Sequence, residues 1–269
     1  MWPFNRNLTP EQQQRKLLRS AQTTLEYDVA QRNYFYDYLV EIRNWNTHLS
    51  NTRRFIADCA RRCCGRRTCV VLGSGFCFDV PVLELSRMFD KVYLVDMVHP
   101  AKVVQKMREF KNVEFITEDI TKIAIETVNS IDRYKDFSVD TLISSPNYSS
   151  GNYCDHLDMF DFVVSVNTLT FLDKPIVAYL GKIKLVDDIS RHTLQTFVHQ
   201  YHIGMLPHGK SCLISPISER LFNSDGLQMY DHSIAFIKPE SIRDPLSWTW
   251  NYSNDSQARI EYSVKAWEF

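Results

Sequence analysis

The sequence lacks the features of a membrane protein, a secreted protein or a nucleic-acid-binding protein. No run approaches the roughly 20 apolar residues needed to cross a bilayer. The first residues contain no apolar segment typical of a signal peptide. The formal net charge is −1, which provides no basic excess for nucleic acid. We therefore expect a cytoplasmic protein with no membrane partner, and a nucleic-acid partner is disfavoured.

The seven cysteines form no recognisable disulfide or metal-binding pattern. Their number is odd, and no two of them have Cys-x-x-Cys spacing. Cys59 and Cys63 are four residues apart in a segment with helical periodicity, which is typical of one buried helix face. The cysteines therefore fit a reducing compartment, and no metal site is expected.

Residues 1–66 are predicted to form an N-terminal helical extension. The stretch Thr9–Gln12 (TPEQ) has the pattern of a capping box with proline at the first helical position. Apolar residues then recur at helical spacing. A second helix is predicted from Thr52 to Cys64, and Gly65 is expected to end it.

Two features of this extension each have two interpretations. The aromatic run Tyr34–Trp45 either covers a substrate cleft as a helical lid or packs against a core. The arginines between Arg53 and Arg67 either form a docking surface for an anion or a solvated helix end, where positive charge is favourable. The second interpretation is favoured in both cases.

Residues 67–269 are predicted to form a Rossmann-like α/β domain. Continuous apolar strands alternate with helices, which indicates a mostly parallel sheet flanked by helices on both faces. Three later strand-like runs predict an antiparallel C-terminal end. The buried strands are predicted within 68–75, 91–97, 112–120, 160–172 and 209–217, and the later runs are 233–239, 248–252 and 258–269.

Three predicted strand ends carry residues suited to binding a nucleoside. Ligands of open α/β sheets bind outside the carboxyl ends of the strands. Gly73 and Gly75 follow the first strand and allow a ligand to approach the backbone closely. Asp96 ends the second strand about 23 residues after Gly73, where an acid bonds ribose hydroxyls. Asp119 ends the third strand, and its carboxylate can accept a bond from an exocyclic amine.

This order of a glycine loop, two strand-ending acids and a buried fourth strand resembles class I S-adenosylmethionine-dependent methyltransferases over residues 68–216. The run Leu72–Pro100 is also similar to a group of bacterial methyltransferase-like proteins with no assigned substrate. The resemblance implies a site for S-adenosylmethionine. The chain is predicted to transfer the methyl group of this cofactor to an unidentified acceptor.

The resemblance also implies a role for each site residue. The glycine loop would contact the methionine part of the cofactor, Asp96 the ribose, Met97 the adenine, and Asp119 the adenine amino group. Asn167 would lie beside the sulfonium, where the substrate enters. The implied cofactor-binding residues are Gly73, Ser74, Gly75, Asp79, Asp96, Met97, Asp119 and Asn167.

The glycine loop departs from the family pattern at two positions. Val71 stands where an acid usually precedes the first glycine, and Cys77 stands at the third glycine position. Asp79 either replaces the missing acid or caps the helix that begins near Pro81. These departures favour the alternative function, a non-catalytic methyltransferase-like scaffold. A nicotinamide-dependent oxidoreductase is disfavoured, because Phe78 occupies the third glycine position of the dinucleotide fingerprint.

Methyl transfer from a sulfonium needs little beyond positioning, so the sequence identifies no catalytic residue firmly. The candidates are Asn167, Tyr148 and His156. Tyr148 and His156 either line a substrate pocket or belong to a surface loop. His99 is interpreted as a loop residue near the adenosine rather than as a general base.

Overall fold

The computed structural model describes residues 9–133, 137–144, 153–237, 239–254 and 258–269. Within these residues the chain forms one mixed sheet with helices on both faces, as the sequence predicts. The strands are β1 (Thr68–Leu72), β2 (Lys91–Asp96), β3 (Val113–Thr117), β4 (Phe162–Val166), β5 (Ser211–Asn223), β6 (Gln228–Ser233), β7 (Leu246–Asn254) and β8 (Ala258–Glu268).

The helices precede the sheet and alternate with its parallel strands. They are α1 (Pro10–Thr24), α2 (Tyr27–Arg62), α3 (Val82–Met88), α4 (Ala101–Met107), α5 (Ala124–Arg133), α6 (Val139–Ser144), α7 (Lys174–Lys182) and α8 (Asp188–Gly204). A short 3-10 helix spans Tyr153–Met159. None of the helices in the described residues is long and apolar enough to cross a membrane.

The strand order is β3-β2-β1-β4-β5-β8-β7, with β6 paired to β5. The strands β1 to β5 are parallel, and β6, β7 and β8 pair antiparallel with their neighbours. The predicted parallel sheet with an antiparallel C-terminal end is therefore confirmed. The strand order switches between β1 and β4, because β2 and β3 lie on one side of β1 and β4 lies on the other. Open α/β sheets bind ligands at such a switch point.

Alternate residues of β1 enter different cores on the two faces of the sheet. Val71 packs in the cluster that contains residues of α2, α3 and α4. Val70 and Leu72 pack in the cluster that contains the 3-10 helix. All three side chains are fully buried, because helices cover both faces. This burial explains why the strand is apolar throughout rather than alternating.

The long helix α2 is held against the antiparallel end of the sheet. Trp45 is fully buried, donates its indole N–H to Tyr252 O at 2.8 Å, and packs edge-on against Trp250 at 4.9 Å between centroids. At the end of the helix, Arg62 forms two hydrogen bonds to Glu268, at 3.0 and 2.7 Å. Aromatic packing and an ion pair therefore fix this helix to β7 and β8.

The structure corrects three predicted elements. The helix predicted from Thr52 to Cys64 is the last part of α2, which begins at Tyr27 and ends at Arg62. The predicted fourth strand is shorter, and the segment after it contains α7, which begins beside Pro175. The strand predicted at 233–239 is wrong, since regular pairing ends at Ser233. β6 precedes it with all side chains exposed, so no apolar alternation marks this strand.

The turn after β1 lies directly against the loop after β4. Gly73 has a φ of +74°, and a Cβ atom at this position would lie 2.6 Å from Thr168 Cγ2. Thr168 also donates its hydroxyl to Leu72 O at 3.2 Å. Glycine is therefore needed at position 73 for both its backbone conformation and its lack of a side chain.

We expect Gly73→Ala to lower the free energy of unfolding by more than the roughly 1–2 kcal/mol that a left-handed conformation costs an L-residue. The added clash with Thr168 is the reason for the excess. Urea unfolding followed by circular dichroism measures this. Gly209→Ala is the matched control, since its φ is +80° but nothing lies within 4 Å of the added Cβ. Equal losses in both variants would contradict the close approach.

We expect Trp45→Ala to destabilise the protein by about 3–5 kcal/mol, because it removes a buried aromatic side chain and its hydrogen bond. The same unfolding experiment measures the change. Leu39→Ala in the same helix is the control: this side chain is 51% exposed, so its removal should cost no more than about 0.5 kcal/mol. Similar costs for the two substitutions would show that Trp45 does not dock the helix.

Candidate functional site

A cavity of about 460 Å³ lies at the carboxyl ends of β1, β2, β3 and β4. The first turns of α2 and Tyr252 of β7 form the opposite wall. All the cofactor-binding residues predicted from the sequence line this cavity. They are Gly73, Ser74, Gly75, Asp79, Asp96, Met97, Asp119 and Asn167.

Three residues of the loop after β1 have positive φ angles, although only two of them are glycines. Gly73 and Gly75 have φ values of +74° and +43°, and Cys77 has a φ of +55°. Cys77 thus adopts the conformation that glycine prefers, at a cost of about 1–2 kcal/mol. Its side chain packs against the core, and burial raises the pKa of its thiol. Cys77 therefore provides the third positive φ of this loop without being a glycine.

Asp96 joins the end of β2 to the glycine loop. Its Oδ2 accepts the backbone N–H of Gly75 at 2.7 Å, and its Oδ1 accepts that of Val98 at 3.4 Å. The residue is buried, and burial raises the pKa of its carboxyl group while the bond from Gly75 opposes that rise. A carboxylate has about four acceptor positions. Asp96 can therefore hold the loop and still bind a ligand hydroxyl.

Asp119 and Glu118 organise the segment that follows β3. Asp119 accepts bonds from the backbone and hydroxyl of Thr121, at 2.9 and 2.6 Å, and from Ile125 N at 3.1 Å. Glu118 accepts two backbone N–H groups of the 3-10 helix, and buried Lys122 lies 3.5 Å from it. Asp119 thus stabilises the start of α5, in addition to lining the cavity.

Asn167 and Asp79 meet at the end of β4. Asn167 Nδ2 lies 2.6 Å from Asp79 Oδ2 and 3.0 Å from Nε2 of the fully buried His48. His48 Nδ1 accepts the indole N–H of Trp248 at 3.1 Å. The alternative that Asp79 caps α3 is wrong: that helix begins at Val82 and has no side-chain cap.

Two further candidates from the sequence, His156 and His99, are not among the cavity-lining residues. His156 lies exposed in the 3-10 helix. Tyr148 lies outside the described residues. His99 bonds Ile116 O at 2.9 Å and packs edge-on against Phe115, as expected of a structural loop residue. No group of side chains in the described part of the chain has the arrangement of a metal site.

The helix α2 and the strand β7 contribute a further wall. Tyr34 and Asp37 line the cavity, whereas Trp45 of the same aromatic run lies in the core, so one part of the run covers the cavity and another packs against the core. Asp37 accepts the hydroxyl of Tyr252 at 2.7 Å. Lys174 lies 4.1 Å from the ring of Phe171, and desolvation lowers the pKa of its amine. No local motif marks Tyr252 or Lys174, because only tertiary packing brings them to the cavity.

Three lining residues carry a buried side-chain polar atom that has no hydrogen-bond partner among the described residues. The atoms are Gln31 Oε1, Ser74 Oγ and the amide atom of Asn167 that faces away from Asp79 and His48. Buried polar atoms are normally paired, and an unpaired one costs about 1–3 kcal/mol. A polar ligand in the cavity would supply the missing partners.

No family model and no curated protein matches the sequence. Several of the solved structures that match are methyltransferases, and three of them are described next. The N-methyltransferase NodS from Bradyrhizobium japonicum, in complex with S-adenosylhomocysteine, is 9% identical over 82% of this chain and 87% of its own, with a TM-score of 0.38. The 1,6-didemethyltoxoflavin-N1-methyltransferase from Burkholderia thailandensis is 13% identical over 91% and 90%, with a TM-score of 0.37. An rRNA methylase from Streptococcus thermophilus is 10% identical over 82% and 96%, with a TM-score of 0.35. These values are too low to assign a function to this chain.

Proposed function

We propose that this chain is an S-adenosylmethionine-dependent methyltransferase and that the cavity binds the cofactor. One observation carries the proposal: residues that the sequence analysis selected at four separate strand ends, for different parts of one cofactor, all line a single cavity. Its volume of about 460 Å³ falls within the range of small-molecule sites, about 300–1,000 Å³.

The residues present fit the chemistry of the cofactor. The glycine loop brings backbone groups to the methionine part, and the free acceptor positions of Asp96 suit ribose hydroxyls. Met97 offers an apolar surface to the adenine. Asp119 accepts three hydrogen bonds within the protein, so about one of its acceptor positions remains for an N–H of the adenine amino group. The unpaired oxygens of Gln31 and Ser74 support a polar occupant.

Bound S-adenosylmethionine supplies an activated methyl group, so the protein has mainly to align the acceptor and exclude water. The first turns of α2 cover the cavity opposite the strand ends. The hydrogen-bonded pair of Asp37 and Tyr252, together with Lys174, provides polar groups on this wall. We assign this wall to the acceptor.

The alternative is a scaffold that has lost the transfer reaction. One observation favours it: Val71, at the position of the missing acid, is fully buried in the core and does not line the cavity. The two functions differ in turnover. A methyltransferase converts S-adenosylmethionine to S-adenosylhomocysteine in the presence of an acceptor, whereas a scaffold does not.

We expect the purified protein to bind S-adenosylmethionine and S-adenosylhomocysteine, and Asp96→Ala to weaken both by about tenfold or more. The substitution removes a charged acceptor and leaves Gly75 N–H unpaired, and bonds to charged groups contribute about 1.5–3 kcal/mol. Isothermal titration calorimetry measures the dissociation constants.

Asp90→Ala is the control for this titration, because Asp90 is an exposed aspartate just before the opposite end of the same strand. Its affinity should equal that of the unaltered protein. Failure of the folded, unaltered protein to bind either compound would refute the proposed function. Binding of NADH in their place would instead support an oxidoreductase.

A further inference from the structure

The two ring nitrogens of His48 face two groups that cannot both be donors. Trp248 Nε1 lies 3.1 Å from His48 Nδ1, and an indole N–H can only donate. His48 Nδ1 must therefore accept. The ring is fully buried, and this burial lowers the pKa of His48 to about 3, so it is neutral. A neutral imidazole that accepts at Nδ1 carries its proton at Nε2 and must donate there.

The amide atom of Asn167 opposite His48 Nε2 is consequently the oxygen. The nitrogen and oxygen of an amide are distinguished by their partners rather than by their shape. The same amide atom lies 2.6 Å from Asp79 Oδ2. Two oxygens at this distance need a proton between them.

We propose that Asp79 is a neutral carboxylic acid that donates to Asn167 Oδ1, so that the amide nitrogen of Asn167 binds an acceptor group of the ligand, a carboxylate. Every group from Trp248 through His48 and Asn167 to Asp79 then has a complementary partner. The opposite end of the amide has no partner among the described residues, and it carries two N–H donors. If the cavity holds S-adenosylmethionine as proposed above, this acceptor is the carboxylate of its methionine part.

The surroundings of Asp79 favour its neutral form. Its side chain is 6% exposed, and no cationic group of the described residues forms an ion pair with it within 4.0 Å. Burial raises the pKa of Asp79. An amide N–H of Asn167 facing the carboxyl group would be the main contact opposing this rise, and the proposed orientation of the amide removes it; the backbone amide of Asp79 and the more distant Arg53 oppose the rise as well. The neighbouring Tyr34 and Cys77 are themselves neutral groups, since burial raises the pKa of both.

The arrangement also explains a strained backbone. Asn167 has a φ of +50°, a left-handed conformation that is uncommon for non-glycine residues, although asparagine adopts it more often than most. Two hydrogen bonds to one amide oxygen hold the side chain, and thereby the residue, in this conformation. Strained residues of this kind are retained where the surrounding structure determines them fully. Asp79 and His48 are accordingly positioning residues for Asn167.

The protonation states are tested without any ligand. Nitrogen-15 NMR of histidine-labelled protein at pH 7 should show His48 protonated at Nε2 and unprotonated at Nδ1. Infrared spectra in heavy water should contain a protonated-carboxyl band that Asp79→Asn removes. A proton on His48 Nδ1, or an unchanged carboxyl band in the variant, overturns the proposal.

The pH dependence of unfolding gives an independent readout. A carboxyl group that is neutral in the folded protein and has its ordinary pKa near 3.9 when unfolded releases a proton on unfolding. Its stabilising contribution is complete below pH 3.9 and is lost as the pH rises towards the folded pKa. Between pH 5 and 7, the unfolding equilibrium constant of the unaltered protein should rise with pH. For each pH unit, the rise should exceed that of Asp79→Asn by a factor of up to ten. Equal slopes would show that Asp79 is ionised when folded.

Ligand binding tests the second half of the proposal. Asp79→Asn retains a donor to Asn167 Oδ1, so its affinity for S-adenosylhomocysteine should stay within threefold, whereas Asp79→Ala should lose about tenfold. Equal losses would indicate an ionised Asp79.

Asn167→Ala should weaken the binding of S-adenosylhomocysteine but not that of methylthioadenosine, which lacks the carboxylate. Equal weakening of the two would refute the carboxylate assignment. If the unaltered protein binds neither compound, the proposed function fails, while the spectra still decide the state of Asp79.

Discussion

The hydrogen bond between Asp96 and the backbone of Gly75 holds the cavity in its shape, because it ties the end of β2 to the turn after β1. Parallel pairing of β1 with β2 on one side and β4 on the other brings three strand ends together. The turn must then bend away from the sheet without blocking that space. Positive φ angles at Gly73, Gly75 and Cys77 make the bend, and the carboxylate of Asp96 fixes it. The remaining site residues line a space that exists because this loop is held open.

The N-terminal helices complete the cavity. The sheet alone would leave the strand ends open to solvent, where charged and polar groups interact weakly with a ligand. The helix α2 is anchored near its middle by Trp45, which packs against the cavity-lining Tyr34 and Tyr252, and at its end by Arg62. These contacts position the first turns of the helix over the strand ends. This arrangement makes the helical extension part of the site and not only an addition to the domain.

Much of the fold followed from local patterns, and the failures have identifiable physical causes. β1 and β2 are recognisable because burial on both faces demands continuous apolar residues. The capping box at Thr9 is confirmed because its two hydrogen bonds involve only neighbouring residues. β6 was missed because it pairs at an exposed edge, where no apolar alternation is required. The end of β4 was misplaced because Leu169, Phe171 and Leu172 extend its apolar run, and the short helix α7 that follows was not predicted.

The sequence by itself determined the order of the elements and which residues stand at the strand ends, since both depend on local periodicity and on glycine and carboxylate chemistry. It identified Asp96, Asp119 and Asn167 as candidates for one site because parallel strands end at the same edge of a sheet. The tertiary structure decided which other groups join them. His48, Trp248 and Tyr252 are far from the strand ends in sequence, and only the packing of α2 on β7 brings them there. Asp79 shows the same division: its carboxyl group is visible in the sequence, but its partner depends on contacts across 88 residues of chain.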